Sequence, residues 1–249
     1  MKKLTTALLA AAALTTAVSA EGSSNTGFYL GASAGVANTN VKYSYVSAGT
    51  ITGTAVQNFQ SNAGKMGGLF GVFAGYGMVV GQGAYVGGEL YGGFDTTKMS
   101  VYDDSATTGN GFPKTTLKRT NYYGLAARVG YMVTPSTLAY IRLGIEGGKW
   151  TGQVIPNQNV TAGYISNASL NTTVSGSKNS ISFAPGLGLE AYINKNLFLR
   201  AEYSYLFGPT VNISQNVSGY TGGYMAGTLM NYKMKITQHA FKIGVGYKF

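Results

Sequence analysis

The last nine residues of the chain, Phe241–Phe249, read Phe-Lys-Ile-Gly-Val-Gly-Tyr-Lys-Phe. Large apolar residues alternate there with lysine and glycine: Phe241, Ile243, Val245, Tyr247 and Phe249 form the apolar row. Successive side chains of a strand point to opposite faces, so one face of this segment is apolar and the other is polar or bare. Such strict alternation predicts a β-strand with a single apolar face.

Seven earlier segments alternate with the same period, and they begin at Phe28, Phe70, Ala84, Tyr123, Ile141, Ile181 and Leu199. Alternating segments of about ten residues, separated by turn residues, are the signature of transmembrane β-strands. The sequence therefore predicts an all-β fold, a single antiparallel eight-stranded transmembrane β-barrel. Ten strands remain the alternative, if Val160–Val174 forms an extra hairpin.

The connections between these segments alternate between short and long. Three are tight turns with turn-forming residues, near 79–82, 134–137 and 194–196. Four are long and polar, over roughly 46–65, 95–118, 151–178 and 208–233. Short turns at one rim and long loops at the other are typical of bacterial outer-membrane barrels. We therefore expect short periplasmic turns, long extracellular loops and both mature termini in the periplasm.

The composition excludes most soluble enzymes. Charged residues make up 10% of the 249 residues, against about 25% in a soluble globular domain. The absence of cysteine excludes thiolate metal sites and cysteine nucleophiles, and the single histidine, His239, leaves little room for zinc or triad chemistry. By its odd number His239 shares the outward face of Phe241, and no carboxylate lies at a helpful spacing on that strand. We expect no enzyme activity, no metal and no cofactor.

The first twenty residues have the form of a cleaved export signal. A short basic start with Lys2 and Lys3 precedes an apolar stretch from Leu4 to Val18, and Ala20 ends a small-residue cleavage site. The predicted organisation is a signal peptide over 1–20 and an outer-membrane barrel domain over 21–249. The alternative, a membrane-anchoring helix, is disfavoured because four threonines interrupt the stretch.

Four of the eight carboxylates of the chain, all of them glutamates, lie on the predicted strands, opposite the apolar rows. Charged side chains on the lipid face would be costly, so the strand face that carries these carboxylates must point into the lumen. Buried charges need partners, since an unpaired buried charge costs far more than a pair. We therefore predict a lumen charge network of Glu89, Arg128, Arg142, Glu146, Glu190, Arg200 and Glu202. The alternative is an ion or proton path through the same groups.

The remaining positive charge lies mostly in or beside the long connections. Removing Lys2 and Lys3 lowers the formal net charge from +10 to +8. A basic outer rim would attract the phosphates of the surrounding leaflet. We assign to this rim Lys65, Lys98, Lys114, Lys118, Lys178 and Lys233, with Lys42, Arg119, Lys149 and Lys235 at the loop bases.

The sequence also resembles a known family. The ending Gly-Val-Gly-Tyr-Lys-Phe is similar to the C-terminal strand that the barrel-assembly machinery reads in bacterial outer-membrane proteins. The stretches Gly27–Gly35 and Leu199–Tyr203 resemble the outer membrane protein beta-barrel domain family, which groups opacity-like proteins with barrels similar to the OmpA transmembrane domain. The resemblance covers residues 21–249 and implies a Gram-negative outer-membrane location, with Phe241, Ile243, Val245, Tyr247 and Phe249 as the assembly signal.

Three functions stay open at this point. The first is a surface-exposed structural or interaction barrel, adhesin- or antigen-like, whose loops meet a host or environmental ligand. The second is a narrow porin-like channel for small solutes, and the third, remote, is an outer-membrane enzyme. The expected partners are outer-membrane lipid, lipopolysaccharide and the assembly machinery. We expect no nucleic-acid partner, and we expect a monomer.

Overall fold

The strands of this protein close into a ring. The computed structural model describes residues 26–48, 58–101, 114–155, 174–217 and 228–249. These residues form the strands β1 (Gly27–Ala48), β2 (Asn58–Val80), β3 (Ala84–Asp95), β4 (Lys98–Val101), β5 (Lys114–Thr134), β6 (Thr137–Ile155), β7 (Val174–Tyr192), β8 (Leu197–Leu206), β9 (Thr210–Val217) and β10 (Thr228–Lys248). Every pairing is antiparallel, and β10 pairs with β1 from Tyr29↔Lys248 to Ala48↔Leu229, which closes the barrel.

The ten strands occupy eight positions around the ring. The short β4 continues the place of β3 beside β5, and β9 continues the place of β8 beside β10. The predicted antiparallel eight-stranded barrel is therefore confirmed. The extra hairpin considered for 160–174 falls almost wholly outside the described residues.

The two ends of the barrel differ in their connections. At one end, hereafter the turn end, Gly81–Gly83, Pro135–Ser136 and Ile193–Asn196 join neighbouring strands. Gly81 there has a φ of +61°, in the left-handed region that glycine enters without strain. The longer connections lie at the other end, hereafter the loop end.

The strands reach much further into the long connections than expected. β2 starts at Asn58 and β1 runs to Ala48, although the sequence analysis assigned 46–65 to a loop. The other three long connections are shortened in the same way by β4, β5, β6, β7, β9 and β10. The alternation of large apolar residues marks only the part of a strand that faces lipid. Beyond it the outward residues are polar, so the outward apolar row ends before the strand does.

The two faces of the barrel wall carry different residues. The outward rows expose large apolar side chains, for example Ile181 at 78% and Leu90 at 66%. The inward rows combine aromatic rings with glycine, as where Tyr140 lies over Gly188 at the site that a Cβ would occupy. The described part of the chain has no helix long and apolar enough to cross a membrane.

Candidate functional site

All seven residues predicted for the lumen network lie inside the barrel, and each is at most 8% exposed. They fall into three layers along the barrel axis, which can be followed along β10. Arg200 lies opposite Gly244, Glu202 lies opposite Lys242, and Arg119 reaches Gln238. The layers therefore run from the turn end towards the loop end, and we call them the lower, middle and upper layers.

The lower layer contains Glu89, Arg128, Glu190 and Arg200. Glu190 Oε1 is 2.5 Å from Arg128 Nη2 and accepts a hydrogen bond of 2.8 Å from Arg200 Nε. Arg200 Nη1 donates to Glu89 Oε2 at 2.6 Å. Four strands, β3, β5, β7 and β8, supply one charge each, so these bonds tie the barrel together across its interior.

Aromatic rings surround the lower layer. The Arg128 guanidinium lies 3.8 Å from the centroid of the Tyr140 ring, and that of Arg200 lies 3.9 Å from the Phe73 centroid. Tyr29 accepts a 2.9 Å hydrogen bond from Arg128 and donates one of 3.1 Å to Glu89. These contacts bury the charges, and electrostatic interactions are stronger in such an interior than in water.

The middle layer is formed by Arg142, Glu202 and Lys242. Lys242 Nζ lies 3.2 Å from Glu202 Oε1, whereas Arg142 Nε is 3.7 Å from the same oxygen. Tyr140 also donates to Glu202, at 3.1 Å. Lys242, which the predicted network omits, is thus the nearest cation to Glu202. Its even number already placed it on the inward face of the last strand.

Arg142 packs mainly against an aromatic ring. Its guanidinium lies 4.1 Å from the Tyr91 centroid and donates to the carbonyl oxygen of Ala184 at 3.3 Å. Arg128 and Arg142 are direct neighbours across β5 and β6. The Arg128 guanidinium lies in the lower layer and that of Arg142 in the middle layer, which separates the two like charges.

The upper layer corrects two sequence assignments. Arg119, placed in the basic rim, is only 2% exposed and lies 2.7 Å from Glu146. Asp95, placed at the start of a loop, is buried and lies 3.9 Å from Arg119. A register shift in β5 between Arg119 and Tyr122 reverses the face on which odd-numbered residues lie, so Arg119 points inward. The simple alternation of the sequence contains no signal for this bulge.

Gln238 completes the upper layer without a charge. It accepts a 3.0 Å hydrogen bond from Arg119 and donates to Asp95 at 2.9 Å and to Thr39 at 2.8 Å. The three layers together contain five carboxylates and five cations, so their formal charges cancel.

The two cavities that the described residues line between the layers are small. A cavity of about 20 Å³ lies beside Glu202 and Lys242, and one of about 10 Å³ beside Arg119 and Glu146. A water molecule needs about 10–15 Å³ by this measure, so each cavity holds about one.

The interior towards the loop end is apolar. Trp150, the only tryptophan of the chain, is 1% exposed there and lies under the Arg119 guanidinium, 5.0 Å away. Its neighbours in this cluster include Met99, Leu117, Ile213, Tyr232, Met234 and Ile236. Charged layers at mid-barrel are thus capped by a packed hydrophobic cluster.

The C-terminal strand has the alternation that the sequence predicts. Ile243, Val245, Tyr247 and Phe249 are exposed on the outer wall and Phe241 is partly exposed, while Lys242 and Lys248 are buried inside. The strand pairs with β1 on one side and with β8 on the other. Its role as an assembly signal stays a prediction.

His239 lies on the outer wall in an aromatic cluster. Its Nδ1 is 2.7 Å from the Tyr203 hydroxyl, and its ring centroid is 4.8 Å from that of Tyr205. Among the described residues, no three His, Asp or Glu side chains are grouped so as to hold a metal ion.

The chain is similar to a known family and to solved protein structures. The model of the family described as "Outer membrane protein beta-barrel domain" matches residues 6–249. OprG of Pseudomonas aeruginosa is 17% identical over 91% of this chain and 98% of its own, with a TM-score of 0.56. Ail of Yersinia pestis is 16% identical over 90% of this chain and 99% of its own, with a TM-score of 0.39. No curated protein matches the sequence significantly.

Proposed function

The chain belongs to the outer membrane protein beta-barrel domain family, and from this premise we propose that it acts at the bacterial surface as a structural and interaction barrel with a closed interior. Its location is the bacterial outer membrane. In this proposal the loop end faces the exterior and meets the partner, and the turn end faces the periplasm.

The filled interior is the observation that carries the proposal. Arg128, Arg142 and Glu190 are each at most 1% exposed at mid-barrel, and the adjoining cavities hold about one water molecule each. A conducting pore needs a continuous water path, and these side chains occupy it. Their mutual neutralisation also removes the charge excess that would attract permeating ions.

The loop end supports the interaction part of the proposal. Nine lysines are exposed among the described residues, eight of them towards the loop end, whereas every described Asp and Glu side chain is buried. Such an unbalanced surface favours anionic partners, either in the surrounding leaflet or outside the cell.

A narrow channel is the second candidate, and one observation favours it. Arg119 Nε and Arg142 Nη2 are buried without a hydrogen-bond partner in the protein. Buried polar groups of this kind are normally satisfied by internal water. In this second candidate, a rearrangement of the middle layer connects waters at these groups into a continuous path through the barrel.

An enzymatic function has the least support. The only histidine, His239, bonds to Tyr203 on the outer wall, and the five carboxylates of the interior are held by cations. Neither arrangement supplies a base beside a nucleophile.

Planar-bilayer conductance of the refolded mature protein tests the closed interior. We expect no stable openings from the wild type. Removing the Arg142 side chain, as in Arg142→Ala, opens space in the middle layer and serves as the comparison. Long-lived openings of the wild type would replace this proposal by the channel.

Cysteine labelling tests the orientation, and the chain has no native cysteine to interfere. Lys65→Cys lies towards the loop end and Lys195→Cys at the turn end, and both lysines are exposed. We expect a membrane-impermeant maleimide to label the first variant in intact cells and the second only after permeabilisation. The reverse pattern would refute the orientation.

A further inference from the structure

An apolar groove of about 480 Å³ crosses the pairing of β1 with β10. On β1 it is lined by Ala32 and Ala34, whose partners on β10 are Val245 and Ile243. It continues onto β8, where Ala201 is the partner of Ile243. The groove therefore lies across the seam that closes the barrel.

Small side chains between large ones produce this groove. Ala34 lies between Ile243 on β10 and Phe70 on β2, and both of these larger residues are exposed on the outer wall. Ala201 lies in the same way between Ile243 and Leu189 of β7. An alanine side chain ends one carbon from the backbone, so the outward face is recessed at these positions. The groove opens on the outer wall and not into the lumen.

The height of the groove places it in the leaflet at the turn end. Leu199, which lines it, is two residues from the start of β8, and Ala34 is seven residues from the start of β1. These separations are about 7 and 23 Å along the strands. With strands tilted by about 35–45°, the groove runs from roughly 5 to 18 Å above the turn end, within an apolar band about 25 Å tall. At this depth the surrounding medium is hydrocarbon, so an acyl chain fills the groove.

One cation lies directly below the groove. Lys195 is exposed in the turn that joins β7 to β8, and it is the only exposed lysine at the turn end among the described residues. Asn194 Oδ1 accepts hydrogen bonds from the backbone nitrogens of Asn196 and Leu197, at 2.9 and 2.7 Å, which fixes the shape of the turn. Within the described ranges Lys195 forms no ion pair. Its ammonium group is therefore available to an anion from the membrane surface.

We propose that the groove and Lys195 together bind one anionic glycerophospholipid, with an acyl chain in the groove and the phosphate at Lys195. Inside a membrane, apolar association depends on van der Waals packing, and a recessed wall contacts a chain on more than one side. Lysine binds phosphate as a point charge. A zwitterionic headgroup brings its own cation towards Lys195, so an anionic headgroup is favoured. The inference rests on the proposed orientation, which assigns this site to the periplasmic leaflet.

The position of the groove gives the bound lipid a structural effect. A chain seated there contacts β1, β8 and β10 together, and these strands are held in this arrangement only in the closed barrel. A ligand that binds only the folded state stabilises it by mass action. The lipid should therefore raise the thermal midpoint of unfolding.

Native mass spectrometry of the mature protein in nonionic detergent, titrated with phosphatidylglycerol, tests the proposal. Ala34→Phe and Ala201→Phe each fill part of the groove, and Ala127→Phe is the matched control, since Ala127 is exposed on the outward face of β5 and does not line the groove. Lys195→Gln removes the cation, and Lys65→Gln makes the same change of charge at the loop end. A heat-modifiability gel verifies that each variant is folded.

We expect the wild type and both controls to bind one phosphatidylglycerol with equal affinity. Each groove variant should bind about tenfold more weakly, which is about 1.4 kcal/mol and corresponds to the loss of roughly ten carbon–carbon contacts. Lys195→Gln should bind about fivefold more weakly, since a lysine near an anionic surface contributes about 1 kcal/mol. Phosphatidylethanolamine should bind the wild type about as weakly as phosphatidylglycerol binds Lys195→Gln.

Four outcomes would overturn the proposal. An equal loss in Ala127→Phe would indicate a general effect of an added ring on the outer wall, and unchanged affinity in both groove variants would exclude the groove. Tighter binding of lipopolysaccharide, lost in the same variants, would assign the site to a lipid of the other leaflet. A wild-type dimer that the groove variants dissociate would assign the groove to a second copy of the chain.

This experiment is independent of those that test the proposed function. Detergent micelles impose no orientation, so reversed cysteine labelling would refute the assignment to the periplasmic leaflet while the binding data still decide the site. Loss of the site leaves the conductance result unaffected, because the groove lies outside the lumen.

Discussion

We expect the same substitution to have a large effect in the lower layer and a small one in the middle layer, at two buried arginines. Arg200→Met and Arg142→Met both replace a guanidinium that lies over an aromatic ring, at 3.9 and 4.1 Å from the centroid. Methionine keeps much of the apolar volume in each case. The two sites differ in the carboxylates that the arginine leaves behind.

Removing Arg200 leaves two carboxylates with one close cation. Glu89 loses its 2.6 Å partner and keeps Arg128 only at 3.7 Å, while Glu190 keeps Arg128 alone. Leaving a buried charge without its partner costs about 3–5 kcal/mol. We therefore expect the free energy of unfolding to fall by about that amount.

Removing Arg142 leaves no carboxylate without a partner. Glu202 keeps Lys242 at 3.2 Å and the Tyr140 hydroxyl at 3.1 Å, and the middle layer becomes a neutral pair. Replacing a buried cation of this kind by an apolar side chain is often neutral or stabilising. We expect a change within about 1 kcal/mol, the net worth of one hydrogen bond. We therefore expect a carboxylate without a close cation after the loss of Arg200 and not after the loss of Arg142.

Equilibrium unfolding in urea, with the protein in phosphatidylcholine vesicles, measures both changes. The single tryptophan, Trp150, is buried and reports the loss of the interior by fluorescence. Adding Glu89→Gln to Arg200→Met should recover about 2 kcal/mol, because it removes the stranded charge. Equal losses at Arg142 and Arg200, or a silent Arg200→Met, would refute the assignment of partners.

Three further predictions follow from single positions. Gly188→Val should prevent folding because a Cβ there overlaps the Tyr140 ring, whereas Gly88→Ala meets nothing within 4 Å and should fold with normal yield on a heat-modifiability gel. Phe249→Glu should reduce the amount of folded protein in isolated outer membranes if the last residue is an assembly signal. The control Phe28→Glu changes a residue of similar exposure, 66% against 68%, and should assemble better. Equal defects in the two variants would contradict the signal. Arg119→Met should lower the free energy of unfolding in urea by about 3 kcal/mol, because it leaves Glu146 and Asp95 without their cation. A loss below about 1 kcal/mol would contradict the buried position of this arginine and support its assignment to the outer rim.

The alternation of apolar residues along the sequence was sufficient to predict the parts of the strands that face lipid. The apolar row of Phe241–Phe249 and its seven counterparts marks the membrane-facing wall, because the side-chain period of a strand is two whatever its partners are. The same parity places Glu190 and Arg200 on the inner face, where the structure puts them directly opposite each other.

Where the strands end could not be predicted from that pattern. β1 continues to Ala48 and β10 starts at Thr228, beyond the lipid, where the outward residues are polar. Whether an outward residue is polar or apolar depends on the solvent at its height along the barrel, and it gives no information about where the strand ends.

The sequence by itself determined that this chain forms a barrel and which residues of its lipid-facing segments face the interior, since both follow from a period of two read along each strand. Only the tertiary structure decided that Arg119 points inward and that Lys242, rather than Arg142, is the nearest cation to Glu202. A single bulge reverses parity without changing composition, and partners across a barrel lie on strands that are distant in sequence. Their distances depend on register and closure, which are properties of the whole ring.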